Sequence, residues 1–353
     1  MPTGDRRRLT GLEAVWPPYA HPVAVIQPLP GIGDMVWHLP HIRAIAAHAG
    51  APVTLIAKPR SLADQLLVNE PAVADVLWVD INPGGRRGVH DGIGGFLRLV
   101  RMLRARGFGS VVLLHHSDRL AAAAWLAGIG DRRGYGWGRQ RWFLTTGPFL
   151  RDNIKKLHQH ARATRYLAAA GVPLASAEPA LTFAPAALAG ALARLGVDAS
   201  GGFVAIGIGS SEMLRQWGAE RFSELVRTLL DAGWRSVVLM GGAEDLPAAS
   251  RIVGAQGERG ARVRLALGWD LGDVVAVLPG AAFYVGNNTG VMNIAAATGT
   301  RTYALFGTTQ PFDHASQIIA VTAPDTGVHD GMRRLTLVSV LEAICADRGR
   351  LGP

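Results

Sequence analysis

The stretch from Tyr284 to Pro311 constrains the fold of this chain more than any other. It begins within an apolar run, Ala281–Val285, that predicts the end of a buried strand. A polar turn follows at Gly286–Gly290, then a helix of small residues at Val291–Thr298 and a second strand at Thr302–Phe306. This order of strand, turn, helix and strand predicts an open α/β sheet, in which ligands bind at the carboxyl ends of the strands.

The polar turn has the composition of an anion-binding site. Asn288 and Thr289 carry hydrogen-bonding side chains, and the turn leads into a helix whose first backbone N–H groups lack intrahelical partners. Such a helix start binds phosphate and other anions. Alternatively, Asn288 or Thr289 simply caps the helix by accepting a hydrogen bond from its first turn. The sequence alone leaves both interpretations open.

Strands and helices alternate along two halves of similar size, which predicts an α/β protein with two Rossmann-like domains and parallel sheets. The predicted organisation is an N-terminal arm at 1–22, a first domain at 23–175, a proline-containing linker at 176–200, a second domain at 201–330 and a C-terminal helical segment at 331–353. Two domains of this kind are expected to face a central cleft.

Within the first half, two segments are rich in basic residues. A long loop rich in Gly and Arg is predicted at 128–147, and a helix with Lys155 and Lys156 near its start is predicted at Asn153–Gly171. The first half also has predicted strands at Val23–Gln27, Val53–Ala57, Val76–Val79 and Val111–Leu114.

Composition and charge narrow the class of protein. The 353 residues are 49% hydrophobic and 18% charged, which is typical of a soluble α/β protein. No apolar run is long enough to span a membrane, and the N-terminus lacks the features of a signal peptide. The single cysteine, Cys345, excludes internal disulfides, so a cytoplasmic protein is expected. The net charge of +9 favours anionic partners, namely nucleotides, acidic glycolipids or an anionic membrane face. Nucleic acid is less favoured, because the sequence contains no nucleic-acid recognition motif.

Three further polar stretches follow predicted strands. Gly31-Ile32-Gly33-Asp34 brings a carboxylate to a strand-to-helix turn, although Asp34 can equally be a helix cap. The stretch from Gly207 to Trp217 offers Ser210, Ser211 and Arg215, which suit a phosphate; a solvated loop is the alternative. Gly241–Asp245 carries Glu244, which can accept hydrogen bonds from ribose hydroxyls, or can simply form an acidic helix start.

Taken together, GIGD, SSEMLRQW followed by RF, LMGGAED and VGNNTGVMNIAAATGTRTYALFGTTQP resemble the ADP-heptose:lipopolysaccharide heptosyltransferase family. The resemblance runs from about Val23 to Pro311. It implies the GT-B fold, with an acceptor-side domain first and a nucleotide-sugar domain second. It also implies metal-independent, inverting glycosyl transfer with no cofactor, the donor being an ADP-linked sugar.

The resemblance assigns roles to individual residues. Asp34 corresponds to the general base, and Arg215 takes the place of a lysine that binds the diphosphate. The implied donor-binding residues are Ser210, Ser211, Arg215, Glu244, Trp269, Asn288, Thr289, Gly290 and Asn293. The acceptor-side candidates are Gly33, His115, His116, Arg119 and His160. Arg119 corresponds to a basic family position that faces the acceptor, and His160 does so more loosely. His115 and His116 end a predicted strand and are expected to line the cleft.

Two departures from the family pattern affect the donor site. The usual Asp-Thr-Gly is Asn288-Thr289-Gly290 here, and Asn293 stands where the family has a histidine. Both changes remove titratable groups but keep the capacity for hydrogen bonds. No metal site is expected, because the pairs His115-His116 and His158-x-His160 have no carboxylate or cysteine at supporting spacing.

These features favour a glycosyltransferase that moves a heptose or related sugar to a lipopolysaccharide core or related glycan. Peripheral contact with the cytoplasmic face of the inner membrane is compatible with the charge. A nucleotide-sugar epimerase of similar architecture and a degenerate, non-catalytic nucleotide-binding protein are the alternatives. Asn288 and Asn293 favour the last of these, whereas Asp34 and Arg215 argue against it.

Overall fold

The computed structural model describes residues 16–198, 202–210, 212–307, 311, 315–323 and 331–353. The chain is divided into two compact units. Unit 1 comprises Met1–Pro28, His41–Lys58 and Ala72–Ala175; unit 2 comprises Leu29–Pro40, Pro59–Pro71 and Ser176–Pro353. Two segments of the first half of the sequence, which include the GIGD motif, therefore cluster with the second half.

Unit 1 contains a sheet of five parallel strands. In chain order these are β1 (Val23–Gln27), β2 (Val53–Ala57), β3 (Val73–Trp78), β4 (Ser110–Leu113) and β5 (Asp131–Gly134). Their spatial order is β3-β2-β1-β4-β5, and the central strand β1 is buried along its whole length. The helices that belong to this unit are α3 (Gly92–Ala105), α4 (Asp118–Leu126) and α5 (Gln159–Ala169), and α1 (Ile32–Ala49) contributes its second half.

Unit 2 contains a sheet of six parallel strands: β6 (Phe203–Gly207), β7 (Ser236–Gly241), β8 (Val263–Leu267), β9 (Ala281–Asn287), β10 (Thr302–Phe306) and β11 (Ile318–Thr322). Their spatial order is β11-β10-β9-β6-β7-β8. The helices are α2 (Ala63–Leu66), α6 (Pro185–Leu195), α7 (Ala219–Asp231), α8 (Leu246–Gly254), α9 (Leu271–Val277), α10 (Gly290–Ala297), α11 (Gly331–Arg334) and α12 (Leu337–Arg348).

Apolar patterning explains why these segments form the sheet and its cover. The strands β6 and β10 are buried at every position, as expected for parallel strands covered on both faces. The helix α7 buries one stripe, including Phe222, Leu225 and Leu229, against the sheet and leaves its charged face exposed. In both sheets, a packed core therefore supports the carboxyl ends of the strands and the loops that follow them.

The prediction of a long loop at 128–147 is wrong. Asp131–Gly134 forms the edge strand β5, paired in parallel with β4, and a 3-10 turn follows at Gly138–Phe143. A polar strand forms here because the fully buried Arg133 pairs with Asp131 at 2.7 Å, and its guanidinium lies 4.1 Å from the ring centre of Tyr19. Tertiary contacts, not strand propensity, stabilise this element.

Three other predicted segments differ from the structure. The arm predicted at 1–22 is packed at its end, where Trp16 and Tyr19 are buried and Trp16 stacks edge-on against Tyr166; residues 1–15 lie outside the described residues. The predicted helix at 153–171 is two elements, a 3-10 turn at Asp152–Lys156 and α5. Within the predicted linker, α6 forms and packs against α9.

Among the described residues, no helix is long and apolar enough to cross a membrane.

Candidate functional site

The sheet of unit 2 has its topological switch point between β6 and β9. Strand order runs one way from β6 through β7 to β8, and the other way from β9 through β10 to β11. In open α/β sheets, ligands bind outside the carboxyl ends of the strands at this point. Here those ends are Gly207 and Asn287, and the two predicted donor-binding stretches begin directly after them.

Asn287 joins the two strand ends at the switch point. Its side chain is fully buried; Nδ2 donates to the carbonyl oxygens of Ile208 and Gly209 at 3.0 and 3.2 Å, and Oδ1 accepts from the backbone N–H of Trp217 at 3.1 Å. One amide therefore fixes both ends of the loop at 208–217. Asn287 is part of the polar turn predicted from the sequence, but no role was predicted for it.

The loop at 208–217 carries two of the predicted donor-binding side chains. The Ser210 hydroxyl donates to the carbonyl oxygen of Glu212 at 2.9 Å, which closes a tight turn. Arg215 lies at the end of a 3-10 turn, is about one-third exposed, and forms an ion pair with Glu212 at 2.9 Å. A ligand anion would compete with the more exposed Glu212 carboxylate for this guanidinium. Ser211 lies outside the described residues.

The start of α10 directly follows β9. Asn288 is buried, and Thr289 occupies the N-cap position without a hydrogen bond from its side chain to the first helical turn. The capping interpretation of Thr289 is therefore wrong for its side chain. The helix has eight residues and carries no acidic residue in its first turn, so its N-terminal partial positive charge is not offset within the helix.

A buried bridge joins α10 to the first turns of α1, within unit 2. The indole Nε1 of Trp37 donates to Asn293 Oδ1 at 2.7 Å, and Asn293 Nδ2 donates to the carbonyl oxygen of Thr289 at 2.9 Å. A Cβ on Gly33 would come within 2.8 Å of Asn293 Nδ2, and a Cβ on Gly290 within 2.8 Å of the Cβ of Ile32. Two glycines therefore allow the helices to approach closely, and Asn293 fixes their contact.

Asp34 lies in the first turn of α1, three residues before Trp37. Its Oδ2 accepts a hydrogen bond from the Gly31 backbone N–H at 3.1 Å, so it does serve as a cap. Burial raises the pKa of the Asp34 carboxyl above its usual range, and the hydrogen bond from Gly31 opposes that shift. A carboxylate with a raised pKa is a stronger base, so the capping and basic roles are compatible.

The end of β7 carries two carboxylates in different surroundings. Glu244 is exposed, as a ribose ligand would need to be. Asp245 accepts from the Gly242 N–H at 2.8 Å, and a Cβ on Gly209 or Gly241 would come within 2.3 or 2.5 Å of its Oδ2. Burial raises the pKa of Asp245. The sequence motif GGAED contains Asp245, but a functional role was predicted only for Glu244.

Trp269 follows β8 and is half-buried. The guanidinium of Arg194 lies 4.1 Å from its ring centre, and Arg194 is in turn paired with Asp273 at 2.6 Å. One face of the indole is therefore covered by a cation, so a nucleobase could stack only on the other face.

The predicted acceptor-side residues His115, His116 and Arg119 follow β4 in unit 1. Burial, with the charges of His116 and Arg162, lowers the pKa of His115 to about 4, so His115 is neutral at pH 7. His116 Nε2 lies 2.9 Å from the carbonyl oxygen of Trp137. The Arg119 guanidinium donates to the backbone oxygens of His90 and Gly92 at 2.5 and 2.9 Å, so it holds the start of α3.

The other two predicted acceptor-side residues lie elsewhere. His160 is buried on α5, and its ring packs edge-on against that of His41. Gly33 belongs to unit 2, at the contact with Asn293 described above. Searched over the residues that the structure describes, the chain has no group of three or more His, Cys, Asp or Glu side chains placed to hold a metal ion.

Residues 96–324 match the family model described as glycosyltransferase family 9 (heptosyltransferase). This match covers well over half of the chain. The chain belongs to glycosyltransferase family 9. The resemblance seen in the sequence motifs is therefore confirmed, and this protein is a glycosyltransferase of the heptosyltransferase family. No curated protein sequence matches the chain at a significant level.

Solved structures of this family share the fold. E. coli ADP-heptose lps heptosyltransferase II is 22% identical, with 92% of this chain and 97% of that chain covered and a TM-score of 0.74. A family 9 glycosyltransferase from Veillonella parvula is 20% identical, with 92% and 96% covered and a TM-score of 0.76. E. coli heptosyltransferase WaaC, solved with ADP-2-deoxy-2-fluoro heptose, is 20% identical, with 92% and 99% covered and a TM-score of 0.69. The predicted α/β GT-B fold class with two parallel sheets is confirmed.

Proposed function

We propose that this family 9 glycosyltransferase transfers a heptose, with inversion, from an ADP-linked donor to a lipopolysaccharide core or related glycan. The observation that carries the proposal is the switch point of unit 2. There the Asn287 amide joins the end of β9 to the loop with Ser210 and Arg215, and the α10 N-terminus follows directly. WaaC was solved with an ADP-heptose analogue, which supports the choice of donor.

The donor diphosphate is proposed to bind at the start of α10, between Thr289 and Gly290, with Ser210 and Arg215 beside it. Helix N–H groups and a guanidinium are the partners that phosphate oxygens prefer. The exposed Glu244 is proposed to accept hydrogen bonds from the ribose hydroxyls, and the face of Trp269 away from Arg194 is proposed to stack on the base. Contacts of Asn288 and Ser211 with the donor remain predictions from the family resemblance.

Asp34 is proposed as the general base. The acceptor hydroxyl oxygen forms a bond to the anomeric carbon while the bond from that carbon to the diphosphate oxygen breaks. The acceptor proton passes to the Asp34 carboxylate, and ADP departs with the bonding electron pair. Arg215 and the α10 N-terminus stabilise the negative charge that grows on the leaving diphosphate.

No cofactor is proposed, and the nucleotide sugar is a substrate. Many glycosyltransferases use a divalent cation to neutralise the diphosphate. Here the Arg215 guanidinium and the helix N-terminus are proposed to take that role. Turnover should therefore be unchanged by an excess of chelator, and a loss of activity that Mg²⁺ or Mn²⁺ restores would contradict this part of the proposal.

The proposed acceptor is an anionic glycolipid or glycan. Unit 1 carries four of the five predicted acceptor-side residues, all but Gly33, and its segments 128–147 and 153–165 are rich in Arg and Lys. Raised salt screens exposed charges, so it should weaken acceptor binding more than donor binding. Equal salt sensitivity of the two ligands would argue against a charged acceptor.

Release of ADP from ADP-heptose, measured with and without a lipopolysaccharide core acceptor, tests the activity. Acceptor-dependent ADP release together with a heptosylated product is the expected result. An epimerase would convert the nucleotide sugar with no acceptor present, and a non-catalytic protein would bind ADP-heptose without releasing ADP. Either outcome would overturn the proposal, and a panel of other nucleotide sugars would then identify the donor.

A further inference from the structure

The face formed by α3 and the end of α4 in unit 1 exposes large apolar side chains. Ile93 and Leu97 on α3 are 84% and 44% exposed; Trp125 and Leu126 at the end of α4 are 51% and 40% exposed; Trp142 in the following 3-10 turn is 76% exposed. Apolar side chains of this size are rarely gathered on one face of a protein surface unless it contacts something. We refer to these five residues and the arginines between them as the α3–α4 face.

The parts of this face are joined by direct contacts. The Arg104 guanidinium at the end of α3 donates to the carbonyl oxygen of Leu126 at 2.5 Å. The ring of Trp125 lies 5.8 Å from that of Phe143, the neighbour of Trp142. Along α3, positions 93, 97, 101 and 104 are spaced by four, four and three residues, so they share one side of the helix. The exposed apolar residues therefore lie on adjoining elements of unit 1.

The charge on this surface is strongly positive. The sequence from Gly92 to Phe143 contains nine arginines and two aspartates. Both aspartates are paired: Asp131 with the buried Arg133, and Asp118 with Arg139 and His116. The arginines on the α3–α4 face itself are exposed: Arg98, Arg101, Arg104, Arg139 and Arg141.

We propose that the α3–α4 face docks on an anionic phospholipid bilayer. Tryptophan is enriched at membrane interfaces because its ring is amphipathic, and arginine is attracted to anionic headgroups. A face that carries both kinds of residue matches the chemistry of such a surface. A nucleic acid would use the arginines but would leave the aliphatic side chains Ile93, Leu97 and Leu126 exposed to water. The inference rests on the residues of unit 1 and holds whichever sugar the enzyme transfers.

Vesicle flotation tests the proposal with the full chain. Vesicles of phosphatidylcholine alone are compared with vesicles that contain phosphatidylglycerol, at low and raised salt. The expected result is binding to the anionic vesicles only, weakened by salt. Quenching of tryptophan fluorescence by brominated lipid should accompany binding and should be lost in the double variant Trp125→Ala/Trp142→Ala.

One double variant and two single control variants separate the effect of the α3–α4 face from general charge and hydrophobicity. Arg98→Ala/Arg101→Ala should lower the partition coefficient by about 30-fold, at about 1 kcal/mol for each basic residue near an anionic surface. The controls are Arg227→Ala on α7 and Val338→Ala on α12, both exposed in unit 2, and they should bind as the unaltered protein does. Thermal unfolding of each variant shows that it is folded.

Three outcomes would overturn the proposal. The first is the absence of binding to phosphatidylglycerol vesicles, and the second is binding that the variants of the α3–α4 face leave unchanged. The third is tighter binding to a duplex oligonucleotide that depends on the same arginines, which would assign the face to nucleic acid. Acceptor-dependent ADP release with a water-soluble acceptor is measured separately, so a failure of either proposal is distinguishable from a failure of the other.

Discussion

The bridge between Trp37 and Asn293 should contribute to both stability and catalysis. Trp37→Phe removes the indole N–H and leaves Asn293 Oδ1, in a side chain only 5% exposed, without that donor. Loss of one partner of a buried hydrogen bond costs about 1–3 kcal/mol. Asn293→Leu removes the same bond from the other side, and it also removes the bond to the carbonyl oxygen of Thr289 at 2.9 Å.

Because both single variants break one shared bond, their effects should not add. The double variant is expected to be more stable than the sum of the single effects predicts, by about 0.5–3 kcal/mol. Asp34 lies three residues before Trp37, and Thr289 begins α10, so the bridge connects the proposed base to the proposed phosphate site. A shift of about 1 Å at such a site can cost 10²-fold, and we expect kcat to fall by about 10- to 100-fold in each single variant.

Urea denaturation and steady-state kinetics of the four proteins measure the two effects. Trp234→Phe is a matched control, because Trp234 Nε1 also donates to a single acceptor, the carbonyl oxygen of Leu351 at 2.7 Å, on the other side of unit 2's core. It should lower stability without lowering kcat, and should not couple to Asn293. If the changes in the free energy of unfolding caused by Trp37→Phe and Asn293→Leu add to within about 0.3 kcal/mol, and kcat is normal, the reasoning is refuted.

Three further predictions concern the same site. Arg215→Ala should cost roughly 2–4 kcal/mol of transition-state stabilisation, by analogy with losing one oxyanion donor, and kcat measured at saturating donor should show it. Gly290→Ala should destabilise the protein by about 1–3 kcal/mol in thermal unfolding, because the new Cβ would lie 2.8 Å from the Cβ of Ile32, whereas Gly254→Ala, which meets open space, should not. Since burial raises the pKa of Asp34, kcat/KM should rise with pH along an acid limb whose midpoint lies above 3.8. A value of kcat/KM that does not change with pH along the acid side of the profile would exclude Asp34 as the base.

Much of the fold was predictable from the sequence because its strands are short apolar runs between turn residues. The bounds predicted for β1, β2 and β10 agree with the structure, and those predicted for β3, β4, β9 and α10 differ by one to three residues. The edge strand β5 was missed because its stability comes from Arg133 packed between Asp131, Trp16 and Tyr19, contacts that no local pattern shows. The strand β11 and the helices α4 and α6 were also not predicted.

The candidate site was predictable in its position but not in its construction. Glycine-bounded polar turns after apolar strands indicated the loops at 208–217 and 286–290. The hydrogen bonds that fix these loops could not be predicted from the sequence, because they join distant residues. Asn287 and Trp217 are separated by 70 residues, and Trp37 and Asn293 by 256. The departure of Asn293 from the family histidine was noted in the sequence, but its partner Trp37 was identified only in the fold.

Asp34→Asn tests the central claim most directly. The amide keeps the shape of the side chain and an oxygen that can accept from Gly31 N–H, but it cannot take the acceptor proton. Because the folded protein raises the pKa of Asp34, ionisation of this carboxyl destabilises the folded state as pH rises above 3.8. At pH 7 the variant should therefore be at least as stable as the unaltered protein.

The decisive measurement is acceptor-dependent release of ADP by Asp34→Asn at saturating donor. The account predicts a fall in kcat of about 10²–10⁴-fold, with donor affinity nearly unchanged. A near-normal kcat together with lower stability would contradict it, and would show that Asp34 serves only as the cap of α1. His115 and His116, which follow β4, would then be the next residues to test as the base.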